Sequence, residues 1–357
     1  MRDRIYEVRK RMERTGIEGL FLSKRETVRY LTGFSGSSAF VVITPDEGYF
    51  LTDFRYITQA EEEIKDLNIK ECKGGLGDVY SFIDGLKLGS LGFEGNDINY
   101  EQFARLEEKI KLKKLISVSE EIDALRVKKD ALEVAAIKKA IEISSKAFED
   151  AVDYIEEGKT EREIALGLEF GIKKGRAEEI PFDIIVASGV RSAMPHASIS
   201  DKRLSKGDNL IIDFGSTWEG YSSDETCTLF LGKVDREQKK VFQIVKDAHD
   251  MAIEAVRPGV EASYIDSVAR DKIKDAGYGE YFGHGTGHGV GLAVHEKPAI
   301  SKFSGGSDVL IEEGMVFTIE PGIYIPEWGG VRIEDMVLVT SCGCEVLTYL
   351  PKELRLV

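Results

Sequence analysis

The stretch LIIDFGSTWEGYSSDETCTLFL (210–231) reads as two apolar strands joined through a polar turn, with one acid set into each arm. LIIDFG carries Asp213 and YSSDETCTLFL carries Asp224, on either side of STWEG. A hairpin symmetric about Trp218 and Glu219 pairs Asp213 with Asp224, with Cβ atoms about 4.5 to 5.5 Å apart. An isolated Asp on a strand is ordinarily a cap or a surface charge. Two facing acids flanked by LII and TLFL are costly unless a cation lies between them.

Two more acids sit in apolar strand sequence, Glu320 in MVFTIEPG (315–322) and Glu334 in GVRIEDMVLV (330–339). Strand alternation puts Arg332 and Glu334 on one face, with Val331, Ile333 and Asp335 on the other. Of five histidines, His196, His284, His288 and His295 lie in segments rich in glycine and short strands. The fifth, His249 in VFQIVKDAHDMAIEAV (241–256), reads as a surface or packing residue of a helix. Four carboxylates with one imidazole form an oxygen-rich set for two divalent cations, manganese first, with cobalt, iron and zinc as alternatives.

The 357 residues suffice for two domains of roughly 100 to 200 residues each. A composition 42 % hydrophobic and 31 % charged can bury ordinary cores beneath a solvated surface. The net charge of -15 has the wrong sign for gripping phosphate backbones, so nucleic acid is not an expected partner. MRDRIYEVRKRMERTG (1–16) has no apolar stretch to act as a signal-peptide core, and no later segment has the apolar length to span a bilayer. The expected location is the cytoplasm, with no membrane partner. Cys72, Cys227, Cys342 and Cys344 are scattered, and the single C-x-C pair is too tight for a zinc site, so all four read as reduced structural thiols.

Residues 1–124 alternate short apolar runs with amphipathic stretches: GLFLS (19–23), SAFVVIT (38–44), YFLTDFRY (49–56), SLGFEG (90–95) and KKLISVS (113–119). ITQAEEEI and YEQFARLEEKI between them read as helices, giving a small α/β domain. The second domain, 125–357, opens on a long helical pattern with Val134, Ile137, Ile141 and Phe148 on its apolar face. It then shows a rough repeat of helix, helix, strands. Thr160 with Glu163 forms a capping-box pattern, and Ser263 with Asp266 a weaker one. A duplicated α/β unit enclosing a site is one reading; two similar helix starts by chance is the other.

The segments IIDFGSTWEGYSSDETCT (211–228), GHGTGHGVGLAVHEKP (283–298), FTIEPGIY (317–324) and VRIEDMVLV (331–339) resemble, in order, the motifs of the creatinase and aminopeptidase family. The resemblance spans about 125–345. It implies a mixed α/β (α+β) chain in which a small creatinase-like N-terminal domain precedes a pita-bread domain with pseudo-twofold halves. Carried over residue by residue, Asp213 binds one metal, Asp224 and Glu334 bridge both, and His288 and Glu320 complete the second. His196 and His295 match histidines that bond the scissile amide and the developing oxyanion. Glu320 doubles as the proton carrier. His284 matches a position in the substrate pocket of the proline-specific branch or just behind it, with Tyr324 and Arg332 as its neighbours and candidate substrate contacts.

The complete ligand set argues against creatinase, which works without metal, and against a non-catalytic peptide-binding module. No Ser-His-Asp or Cys-His arrangement and no G-x-S-x-G elbow offers a side-chain nucleophile in this region. The expected activity is release of the N-terminal residue from peptides with proline second, as in an Xaa-Pro aminopeptidase. The alternative is an Xaa-Pro dipeptidase, which recognises the free carboxylate through an arginine such as Arg332 or Arg55. The family further implies a homodimer, with TDFRY (52–56) as the candidate contact.

Overall fold

The computed structural model describes residues 4–111, 114–303 and 309–357, and its contacts divide the chain into two compact units, 1–126 and 127–357. The first contains a six-stranded sheet. Its strands, in spatial order, are Asn68–Glu71, Gly48–Thr52, Ala39–Ile43, Gly19–Leu22, Ser90–Phe93 and Lys114–Ser117. The two pairings made by Ala39–Ile43 are antiparallel and the rest are parallel. Phe21, Val42, Leu51, Val79, Ile83 and Leu91 form the core of this unit. Lys113, the first residue of the KKLISVS run, lies outside the described residues.

The YFLTDFRY run is strand only as far as Thr52. Arg55 turns back onto Asp53, with Nε 2.8 Å from Oδ1 and Nη2 2.7 Å from Oδ2, and the helix Ile57–Glu63 follows. This local fork turns the chain out of the sheet. It leaves Phe54 three-quarters exposed.

The second unit repeats one layer pattern twice, the pita-bread arrangement. Helices Ala131–Val152 and Glu161–Lys174 share a core with a four-stranded sheet ordered Arg355–Leu356, Glu225–Phe230, Asn209–Phe214, Ile185–Ser188. Ile164, Leu168, Val186, Leu210 and Phe214 are buried in that core. Helices Arg236–Ala255 and Ala262–Asp275 pack against a five-stranded sheet ordered Glu296–Ile300, Gly287–Gly289, Val316–Ile319, Asp335–Val339, Cys344–Val346. A ladder of Gly322–Ile325 with Gly329–Arg332 joins the same core through Ile323 and Val331.

The decisive hairpin forms, but in a register shifted by two from the symmetric expectation. Asp213 stands opposite Thr226, not Asp224, and Trp218 stands opposite Tyr221. The turn is centred on Glu219 and Gly220, both with positive φ (49° and 81°). A two-residue turn of that type matches strand twist and favours glycine at its second position, so Gly220 rather than Trp218 sets the centre. Asp224 still projects to the same face as Thr226 by the period of two, and Thr226 faces Asp213.

Helix capping also separates signal from accident. Thr160 and Glu163 make the expected reciprocal capping box, and Asp130 with Glu133 makes another on the long first helix. Ser263 and Asp266 do not: that helix starts at Ala262, with Glu261 as an N-cap that makes no side-chain bond. Asp266 is instead fully buried and binds Arg270, with Nε 3.0 Å from Oδ2 and Nη2 2.8 Å from Oδ1. Asp266 also accepts from the backbone N–H and hydroxyl of Thr286. Arg270 donates to the carbonyls of Phe282 and His284, so the pair clamps the glycine- and histidine-rich loop onto the helix.

Removing one partner of a buried, hydrogen-bonded ion pair leaves an uncompensated charge. Asp266→Ala is therefore expected to cost about 3 to 5 kcal/mol in urea unfolding. Loss of less than about 1 kcal/mol would show that the clamp is dispensable.

Candidate active site

His288 is held by its neighbours before any ligand is considered. Both flanking glycines are forced: a Cβ on Gly287 would lie 1.8 Å from the carbonyl oxygen of Thr318, and one on Gly289 2.1 Å from that of Lys297. His288 Nδ1 is 3.2 Å from the carbonyl oxygen of Gly289. That contact places the proton on Nδ1 and turns Nε2 toward the carboxylates, 3.5 Å from Asp224 Oδ2 and 3.5 Å from Glu320 Oε1. Ligand atoms of Asp224, His288 and Glu334 all lie within 4.8 Å of one another.

Three of the four carboxylates have one oxygen fastened by a neighbour. Arg332 Nη2 donates to Asp213 Oδ2 at 2.6 Å. The Thr226 hydroxyl donates to Glu334 Oε2 at 2.6 Å, and Thr318 reaches Glu320 Oε1 at 3.4 Å while accepting from the backbone N–H of His288. Asp213 Oδ1, by contrast, is buried with no hydrogen-bond partner. A buried, unpartnered carboxylate oxygen aimed among three other acids has the donor chemistry that a divalent cation satisfies.

The electrostatics agree. Burial, then the charges of Glu334, Asp213 and Glu320, raise the Asp224 pKa well above the ordinary carboxylate value. Burial, then Glu320 and Asp213, do the same to Glu334, and burial raises Glu320. Burial lowers His284, His288 and His295, keeping those imidazoles in the neutral form that ligates metals and donates a single N–H. The residues present thus fit a pair of divalent cations.

A cavity of about 1100 Å³ opens over this cluster. Asp213, Asp224, His196, His284, His288, His295, Glu320, Arg332 and Glu334 all line it. Ile180, Phe182, Ile184 and Ile199 form an apolar wall, and the Glu161–Lys174 helix forms a rim. His196 and His295 are exposed at the opening, and the His295 ring lies 4.2 Å from that of His288.

Tyr324 departs from its expected place as a substrate contact. It does not line the cavity but lies buried behind it, its hydroxyl 2.9 Å from His284 Nε2 and 3.1 Å from Arg332 Nη1. Burial pushes its pKa up to about 12. Arg332 is likewise committed, donating to Asp213, Tyr324, Thr226 and the carbonyl of Pro195. Burial opposes its charge, but Tyr324, Asp213 and Glu320 raise its pKa well above the ordinary value. Arg332 reaches the cavity but holds protein groups in place rather than offering a free fork to a substrate carboxylate.

The sequence reading missed Thr226 and Thr318, although both stand two residues from a ligand and share its face. It also missed the apolar wall, which comes from segments with no periodic pattern. Of the two readings of His249, packing holds and surface does not: the residue is 2 % exposed, with Nε2 3.1 Å from Asp335 Oδ2. All four cysteines are free thiols.

The chain belongs to metallopeptidase family M24: residues 135–341 match that family and residues 4–128 match the creatinase/prolidase N-terminal domain. An Xaa-Pro dipeptidase of Pyrococcus furiosus is 39 % identical over 355 residues, covering 99 % of this chain and 100 % of that protein. A solved structure of an Xaa-Pro dipeptidase from Bacillus anthracis superposes with a TM-score of 0.94 at 38 % identity, covering 99 % of each chain. A solved X-Pro aminopeptidase from Thermotoga maritima superposes with a TM-score of 0.91, also at 38 % identity and 99 % of each chain. Among the described residues, no helix is long and apolar enough to cross a membrane.

Elemental analysis of the purified chain should find about two divalent ions, and metal at 100 times its Kd should stabilise the fold by about 2.7 kcal/mol in thermal unfolding. Asp224→Ala should lose metal. His295→Ala should keep it, and loss of metal from that variant would place His295 among the ligands.

Proposed function

We propose that the chain is a two-metal hydrolase that splits Xaa-Pro dipeptides. The observation that carries this reading is the meeting of Asp213, Asp224, His288, Glu320 and Glu334 on one wall of the cavity. The sequence reading puts Xaa-Pro aminopeptidase first, whereas the full-length similarity to proteins named Xaa-Pro dipeptidase favours the dipeptidase. Four carboxylates and one imidazole suit manganese, and a cytoplasmic homodimer belongs to the same proposal through the family resemblance.

Those five side chains would hold two divalent ions, which when bound lend Lewis acidity to the scissile carbonyl and lower the pKa of the attacking water. Glu320, its carboxyl raised by burial and one oxygen near Thr318, is placed to carry a proton toward the leaving nitrogen. His196 and His295, at the opening, donate to the carbonyl oxygen as charge develops on it. Phe182, Ile184 and Ile199 supply an apolar surface for the proline ring and exclude water. His284, Tyr324 and Arg332 form a hydrogen-bonded chain that ends on Asp213 and fixes its carboxylate.

A specific observation favours the aminopeptidase as a second reading. A dipeptide ends in a carboxylate that calls for a cation, and the three basic side chains lining the cavity among the described residues are all engaged. Arg332 is committed as above, Arg162 pairs with Asp201 and Lys173 donates to the carbonyl of Glu178. An Xaa-Pro-Xaa peptide makes no such demand next to its proline.

Manganese-loaded protein should hydrolyse Ala-Pro and leave Ala-Pro-Ala intact. Cleavage of the tripeptide at a comparable or higher rate would move the assignment to the aminopeptidase. Replacing proline by alanine removes two ring carbons worth about 0.8 kcal/mol each, so Ala-Ala should fall roughly 15-fold or more in kcat/KM. Equal rates on Ala-Pro and Ala-Ala would end both proline-specific readings. His196→Ala and His295→Ala should each lower kcat by about 10² to 10³, the usual loss for one oxyanion donor.

A further inference from the structure

A second cluster of buried charge lies behind the carboxylates of the cavity, on the opposite face of the same segments. Asp224 is followed by Glu225 and Glu334 by Asp335, and successive residues of extended chain point to opposite faces. Lys352, from the C-terminal segment, is 9 % exposed and places its ammonium between the two rearward acids. Its Nζ donates to Glu225 Oε1 at 2.6 Å and lies 3.4 Å from Asp335 Oδ1. Other groups close in on the same acids: Ser145 donates to Glu225 Oε2 at 3.0 Å, Thr348 donates to Asp335 Oδ1 at 2.5 Å, and His249 Nε2 lies 3.1 Å from Asp335 Oδ2. In front, the Glu334 N–H donates to the Thr226 carbonyl at 3.2 Å, so the two segments touch edge to edge.

We infer that Lys352 is a positioning residue that bridges Glu225 and Asp335 from behind and so sets the spacing of Asp224 and Glu334 for the metal pair. The inference rests on the metallohydrolase reading above. Stability alone does not call for such a cluster, because well-packed apolar residues replace buried ion pairs at little or no cost. Register does call for it. The two acids assigned as bridging ligands each stand one residue before a strand, Glu225–Phe230 and Asp335–Val339, which belong to different sheets, and one ammonium touches the first residue of both strands. Partners behind the ligands of a metal site typically govern affinity by about 10- to 100-fold.

The test titrates manganese calorimetrically into metal-free full-length wild type, Lys352→Met and the double variant Lys352→Met/Glu225→Gln. The double variant removes the nearer of the two carboxylates that the single one strands, while Asp335 keeps the Thr348 hydroxyl, and it is expected to unfold within a few degrees of wild type. Wild type should take up two ions, and both variants should bind at least one of them about 10- to 100-fold more weakly. Two ions at wild-type affinity in the folded double variant would overturn the role of Lys352 and leave the metallohydrolase reading standing. No uptake by wild type would overturn that reading, and this inference with it.

Discussion

Mutual repulsion of buried carboxylates is the constraint around which the second unit is arranged. Asp213, Asp224, Glu320 and Glu334 come from three sheets and the loops that leave them, and every one faces the same small volume. Burial first, and neighbouring charges after it, raise the pKa values of Asp224, Glu320 and Glu334, which is free energy stored against folding. The structure holds the acids together by fastening them individually, through Arg332, Thr226 and Thr318. It gives Asp213 Oδ1 no hydrogen-bond partner, which leaves that oxygen suited to a cation.

Much of this was legible because the candidate ligands sit on or directly beside short apolar strands, where an acid has no ordinary reason to be. Asp213, Asp224, Glu320 and Glu334 could each be singled out on that ground. Their relative placement was less legible. The hairpin register turned on whether Trp218 or Gly220 marks the centre, and a positive-φ turn decided for Gly220. Asp266 was misread because its spacing from Ser263 imitates a helix cap, while its role depends on Arg270 and a loop some twenty residues on. Local pattern cannot reveal a partner that only tertiary packing supplies.

The roles of Tyr324 and Arg332 show the same limit at the site itself. The family resemblance put both among the substrate contacts. In the structure they form one line with His284, running from the edge of the cavity to Asp213. Burying an arginine this deeply is tolerated because four of its N–H contacts meet oxygen within 3.1 Å. What the structure shows of them is the orientation of Asp213, and any part in the proposed reaction would pass through it. An arginine spent in this way cannot also be the anchor for a dipeptide carboxylate.

This bears on what distinguishes a dipeptidase from an aminopeptidase on one scaffold. On the proposed reading, the metal ligands and the apolar wall would act on the scissile bond and the proline ring, which both substrates share. What differs is the group beyond the ring, a carboxylate in one case and an amide in the other. A charged terminus entering a cavity already lined by four carboxylates needs a cation that is not committed elsewhere. Arg162 and Lys173, on the Glu161–Lys174 helix at the rim, are the lining cations whose present partners are exposed enough to be exchanged for a substrate. On that proposal peptide length would be set by the rim, and the hydrolytic centre beneath it would be the same for either substrate.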